Sequence, residues 1–151
     1  MGDIVWAVNP NRDRLGDLTQ RMRRVADEAC SAASVALVFV APADERGLKL
    51  GVDTRRELFL IFKEAMNNIV RHAHCTETRI ELRLEDRAVQ LRLSDNGRGF
   101  DVPSASTGNG LASMRRRAQQ VGGELEISSV ATGTTITLRA PIGSSRLRSP
   151  R

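Results

Sequence analysis

The chain has 151 residues, 40% hydrophobic and 27% charged, with a formal net charge of +5; these are the proportions of one ordinary globular domain with enough apolar surface for a real core. No apolar run approaches the roughly 20 residues of a membrane helix. No basic stretch followed by an apolar one marks a signal peptide at Met1-Gly2-Asp3-Ile4, and Cys30 and Cys75 have neither metal nor redox spacing, so both read as reduced thiols of a cytoplasmic protein.

The basic excess is clustered at Arg21, Arg23 and Arg24, at Arg115 to Arg117, and at Arg146, Arg148 and Arg151. With no tyrosine and a single tryptophan, a base-stacking surface is poorly supplied, and no nucleic-acid partner is expected. Arg115 to Arg117 read as a solvated helix face.

In chain order, residues 1–10 form a short apolar piece around Trp6 closed by Asn9-Pro10, the trailing end of an element begun upstream. Leu15, Leu18, Met22, Val25, Ala26 and Ala29 predict a helix over 13–33, and Val35 to Val40 a buried strand. Asp53 or Thr54 would cap a second helix over 55–73, whose apolar face runs from Leu58 to Ala73 and whose opposite arc carries Glu64, Asn67, Asn68 and Arg71, with His72 at its border. Two alternating runs, Ile80-Leu82-Leu84 and Val89-Leu91-Leu93, predict an antiparallel hairpin turning at Asp86-Arg87. A helix over 111–121 ends at Gly122-Gly123, and a last hairpin, 124–130 and 134–140, turns at Thr132-Gly133. Residues 143–151 read as a disordered basic tail. One-faced strands and amphipathic helices make a two-layer α/β sandwich, a mixed, mostly antiparallel sheet with helices packed on one face and the polar sheet face in solvent.

Two features carry chemistry. Adjacent asparagines inside a helix each cost about half a kcal/mol relative to alanine, so something other than helix stability favours amides at Asn67-Asn68. Asn68 offers a hard oxygen to magnesium already held by phosphates, and Glu64, one turn earlier, could orient water or act as a base; the competing reading is a solvated stripe with Glu64 paired to Arg71. The second feature is Asp95-Asn96-Gly97-Arg98-Gly99-Phe100 directly after a strand, followed by Gly108-Asn109-Gly110-Leu111 at a helix start. A carboxylate at a strand end accepts from an exocyclic amine such as that of adenine, glycines admit close approach, and a helix N-terminus offers free N–H groups to phosphate. Residues 101–108 read as a mobile lid between the glycine pairs. Arg71 and His72 could meet phosphate, and a hydroxyl of Thr134 or Thr135 could support Asp95.

The segments KEAMNNIVRHA (63–73), DNGRGF (95–100), GNGLASMRRRA (108–118) and GTTITLRAPI (133–142) resemble, in this order, the N box, two glycine boxes and closing strand of the ATP-binding domain of sensor histidine kinases. The resemblance implies a Bergerat-type fold over residues 11–142 that binds ATP and magnesium. Asn68 would hold magnesium, Asp95 read the adenine amino group, Gly97 and Gly99 line the base, Gly108 and Gly110 border the lid, and Thr135 sit near Asp95. Glu64, Arg71 and His72 fall in the helix that meets the phosphates, and Phe100 and Leu111 close the two glycine boxes. Such kinases phosphorylate a histidine on a dimerisation helix, whereas the two histidines here, His72 and His74, both stand at the N box. The implication is a catalytic domain, monomeric by itself, with residues 1–10 resembling the end of a dimerisation helix. Its partners would be the parent's own acceptor domain and a response regulator. No membrane contact is expected of the domain, whether or not the parent is anchored. An anti-sigma-factor-type serine kinase and a non-catalytic nucleotide-binding module are the alternatives.

Overall fold

The computed structural model describes residues 15–41, 50–85, 87–99 and 109–142. The expectations for residues 1–10, Phe100, the stretch 101–108 with Gly108, and the tail 143–151 lie outside them. The described elements are α1 (Leu15–Ala33), β1 (Ala36–Val40), α2 (Val52–Asn68), β2 (Glu77–Glu85), β3 (Ala88–Asp95), α3 (Asn109–Gln120), β4 (Glu124–Val130) and β5 (Gly133–Pro141). A π-helical turn, Ile69–Ala73, continues α2.

The strands form one sheet in the order β1-β2-β3-β5-β4. β1 runs parallel to β2, and the remaining neighbours are antiparallel. Period-two alternation turns Ile80 and Leu82, Leu91 and Leu93, and Ile136 and Leu138 to one face, where all are buried. The helices cover that face. On α1 the buried Leu15, Leu18, Met22, Ala26 and Cys30 recur at three- and four-residue intervals, a single stripe. α2 touches both α1 and α3 and is buried more fully, with Leu58, Phe59, Ile61, Phe62, Ala65 and Met66 at 2% exposure or less. Each of these side chains other than Ala65 contributes about 1.5–3 kcal/mol through removal from water. The described helices and strands share this one core, the expected two-layer α+β sandwich.

Several details depart from expectation. α2 starts earlier than Asp53 or Thr54 would place it: Gly51 is the N-cap, without a side-chain cap, and its carbonyl accepts Arg55 N–H at 2.9 Å. The α-helix stops at Asn68 instead of continuing to Ala73. The last turn lies at Ala131-Thr132, with Val130 facing Gly133. The polar sheet face is not uniformly solvated, since Glu81 is 7% exposed beneath Arg79 (2.8 Å) and Arg83 (3.6 Å). The Arg79 hydrogen bond, against the opposing effect of burial and with help from the charges of Arg83 and Arg92, holds its carboxyl below the ordinary value. The predicted left-handed cap of α3 is present: Gly122 has φ 72°, and Gly123 N–H reaches Ala118 O at 2.8 Å.

Candidate functional site

Between the sheet and the C-terminal half of α2 lies a cavity of 530 Å³. Its floor is two cross-strand pairs, Leu93 opposite Ile136 and Asp95 opposite Thr134. Positions 93 and 95 share a face by strand alternation, as do 134 and 136, so the polar pair follows the apolar one along the same two strands. Ala65, Ile69 and Ala73 of the helix face this floor, and Leu111 adds an apolar wall from α3. A flat apolar slot ending in a carboxylate and a hydroxyl suits a heteroaromatic ring with an exocyclic donor.

The Asp95 end is built by a chain of local bonds. Asp95 Oδ1 accepts the Gly97 N–H at 2.8 Å, fixing the carboxylate at the cavity wall. Gly97 lies against the end of the helix, and Arg98 N–H donates to Ala73 O at 2.9 Å. Asn96 fastens the loop from outside: its Oδ1 accepts from both Thr76 and Glu77 N–H at 3.0 Å, and its Nδ2 donates to Thr76 Oγ1 at 3.0 Å. Thr134 Oγ1 is held by Ser129 Oγ at 2.8 Å. Cys75, just past the helix, is a free thiol raised above its ordinary pKa chiefly by burial and then by the Asp95 carboxylate.

Along the helix, Glu64, Asn67 and Asn68 bring polar groups to the cavity, Glu64 beside Gly110 in the first turn of α3, and His72 joins the lining next to Ala73. Glu64 turns toward that turn: a Cβ built on Gly110 would stand 2.5 Å from Glu64 Oε2. From Glu64 to Ala73 the helix covers roughly 13 Å at about 1.5 Å per residue, room for a base, a sugar and phosphates laid along it.

Of the residues singled out in the sequence, the cavity thus gathers Glu64, Asn68, His72, Asp95, Gly99, Gly110, Leu111 and Thr134. Arg71, in the π turn, is not in its lining. Arg71 is exposed, whereas His72, the next residue, is in the lining. Gly97 sits behind the lining as a spacer against Ala73. The sequence reading placed Thr135 near Asp95; in the sheet Thr135 faces Ser94 and points to the opposite side, and Thr134 is the residue beside Asp95.

Sequence reasoning missed Leu93, Ile136, Arg98, Asn96 and the helix's Ala65, Ile69 and Ala73. Counting back two residues from Asp95 and forward two from Thr134 would have found the floor. No sequence signal marked Asn96 as the fastener.

The chain thus combines a five-stranded sheet in this order, helices on one face, and a cavity between an asparagine-bearing helix and a glycine loop. The family of histidine kinase-, DNA gyrase B- and HSP90-like ATPases matches residues 53–144, and the chain belongs to it. Among curated proteins it is similar to the sensor histidine kinase LiaS of Bacillus subtilis, 36% identical over 87 residues, covering 56% of this chain and 24% of LiaS. The sensor protein VraS of Staphylococcus aureus is 39% identical over 87 residues, covering 56% of this chain and 25% of VraS. The chain therefore matches about a quarter of the length of these relatives. In fold it is similar to the histidine kinase domain of the Erythrobacter litoralis EL346 blue-light activated kinase, with TM-score 0.73, 19% identity, and coverage of 85% of this chain and 62% of that one. The catalytic domain of histidine kinase ThkA superposes with TM-score 0.69 at 13% identity, covering 85% and 94% of the two chains. Among the described residues no helix is long and apolar enough to cross a membrane.

Proposed function

We propose that this chain is the ATP- and magnesium-binding catalytic domain of a sensor histidine kinase, working in the cytoplasm where ATP is supplied. It would pass the γ-phosphate to a histidine on the parent's dimerisation domain, for onward transfer to a response regulator. The observation that carries this reading is one cavity lined by Asp95 and Thr134 of the sheet and by Glu64, Asn68 and His72 of the helix, around an apolar floor. Asp95 accepts the adenine amino group, Leu93 and Ile136 support the ring, and the first turn of α3 meets phosphate with its free N–H groups.

Magnesium fits this site as a passenger of the phosphates. Among the described residues no group of three histidine, cysteine or carboxylate side chains could hold a metal by itself. Asn68, partly exposed in the cavity wall, offers a hard amide oxygen of the kind a phosphate-bound ion takes. When bound, the ion supplies charge neutralisation on the phosphates. The chain's residues do the remainder: the slot orients ATP, and the acceptor imidazole attacks the γ-phosphorus in line. The bond to the β–γ bridging oxygen breaks, ADP leaves, and Glu64 would take the imidazole proton as base.

Radiolabelled ATP with magnesium tests this, with and without the parent's dimerisation domain supplied separately. The expected result is no label on this chain alone and acid-labile label on the partner, since phosphohistidine hydrolyses in acid. Asn68→Ala should blunt the magnesium dependence. Label retained by this chain alone, or acid-resistant label on a serine of another protein, would overturn the histidine kinase reading in favour of a serine kinase.

A further inference from the structure

α2 and α3 meet at two places. At the cavity end, Glu64 of α2 approaches Gly110 of α3. Away from it, Glu57 Oε1 accepts from Arg117 Nη1 at 2.8 Å, and Arg56 Nη2 donates to Glu57 Oε2 at 3.0 Å. Glu57 and Glu64 are seven residues apart, as are Gly110 and Arg117, and seven residues are two helical turns, so each pair lies on one face of its helix. The two contacts define an antiparallel helix pair gripped at both ends.

The grips differ in kind. Leu111, Met114 and Ala118 anchor α3 to the core through apolar contacts, which are not directional. The Glu57 side chain is 3% exposed, and loss of Arg117 would leave its buried Oε1 without a partner, Arg56 holding only the other oxygen. Sliding α3 along α2 would break that bond first. Arg117 also borders, with Glu64 and Asn67, a second cavity of 450 Å³ between the helices, so the pin and the phosphate end of the site share one groove.

We propose that Arg117, held by buried Glu57, is a positioning residue for ATP. It sets the height of α3 against α2, and hence the place where the helix's first turn and Glu64 meet the phosphates. Arg117 lies about 10 Å along α3 from Gly110 and acts through the helix. The inference rests on the nucleotide reading and deepens it. Its signature is selective: the first turn of α3 moves as a whole at the phosphate end, while the adenine end, built by the Asp95 loop and β5, shares only the Leu111 wall with that helix.

Nuclear magnetic resonance titration of the whole chain with adenosine, and separately with ATP and magnesium chloride, tests this. In Arg117→Met the ATP dissociation constant should rise about tenfold or more, the worth of one charge-assisted hydrogen bond, and the adenosine constant should stay within about twofold. In Glu57→Gln, whose amide oxygen can still accept from Arg117 without the opposite charge, the ratio of the two constants should lie between wild type and Arg117→Met. This second variant also decides the matter if Arg117→Met does not fold. Equal weakening of adenosine and ATP would make the pair merely structural, and unchanged ATP affinity would remove the pin; either overturns the inference. Failure of wild type to bind ATP at all would instead bring down the nucleotide reading itself.

Discussion

Gly97→Ala should damage the site through space alone. Gly97 is not among the residues with positive φ, so alanine meets no backbone obstacle there. A Cβ would, however, collide with the carbonyl oxygen of Ala73 and lie 2.8 Å from Ala73 C and 2.9 Å from Ala73 Cβ. Carbon atoms settle at about 3.5–4.0 Å, so the loop must retreat by roughly 1 Å from a helix end that cannot yield. That retreat stretches the 2.9 Å bond from Arg98 N–H to Ala73 O beyond the length of a hydrogen bond. Overpacking at about 1–3 kcal/mol and one bond at about 1 kcal/mol give a loss of about 2–4 kcal/mol. For a chain of this size the melting temperature should fall by about 5–15 °C. Because Asp95 Oδ1 is tied to Gly97 N–H, adenine nucleotide affinity should fall as well. The control is Gly122→Ala, where φ is +72° and the nearest atom, Pro141 Cγ, is 3.8 Å away. There the cost is conformational, about 1–2 kcal/mol, with affinity unchanged. Calorimetric melting and nucleotide titration of both variants read the contrast. Wild-type stability and affinity in Gly97→Ala would refute the reasoning.

Asp95→Asn should weaken adenine nucleotides by about 1.5–3 kcal/mol, one hydrogen bond to a charged acceptor, with little change in melting; unaltered titration calorimetry would remove Asp95 as the base reader. Glu81 carries a pH signature: its folded pKa is depressed below 4.5, so its contribution is present above that value and is lost as pH falls through the folded one. Urea unfolding should therefore find Glu81→Gln less stable than wild type near neutrality, with the gap closing in acid; a gap constant with pH would contradict the ion pairs. Cys30 and Cys75, both raised chiefly by burial, should alkylate slowly at neutral pH in the native protein and at the rate of free thiols in urea. Equal rates in both states would argue against that burial.

What the amino-acid order settled by itself was local. The three- and four-residue spacing on α1, the two-residue spacing on β2, β3 and β5, and the glycine stop after α3 depend on neighbours a few positions apart, and they place those elements. The motif order was equally plain, since Asp95, Gly97 and Gly99 stand together in the chain, as do Glu64 and Asn68. Long-range packing decided the rest. Helical counting on a uniform 100° step kept Arg71 beside Asn68, yet in the fold it stands outside the cavity that Asn68 and His72 line. Two adjacent threonines are equivalent until strand pairing sets Thr134 opposite Asp95. Glu57 and Arg117 are 60 positions apart, and nothing near either residue announces the other; the antiparallel packing of α2 on α3 makes them partners. Glu81 read as a solvent-facing residue of an alternating strand, and arginines on its own strand folded over it. Periodicity reports which side of an element is apolar, because that depends on local geometry. Which polar group meets which depends on how the elements are set against one another, and only the closed fold supplies that.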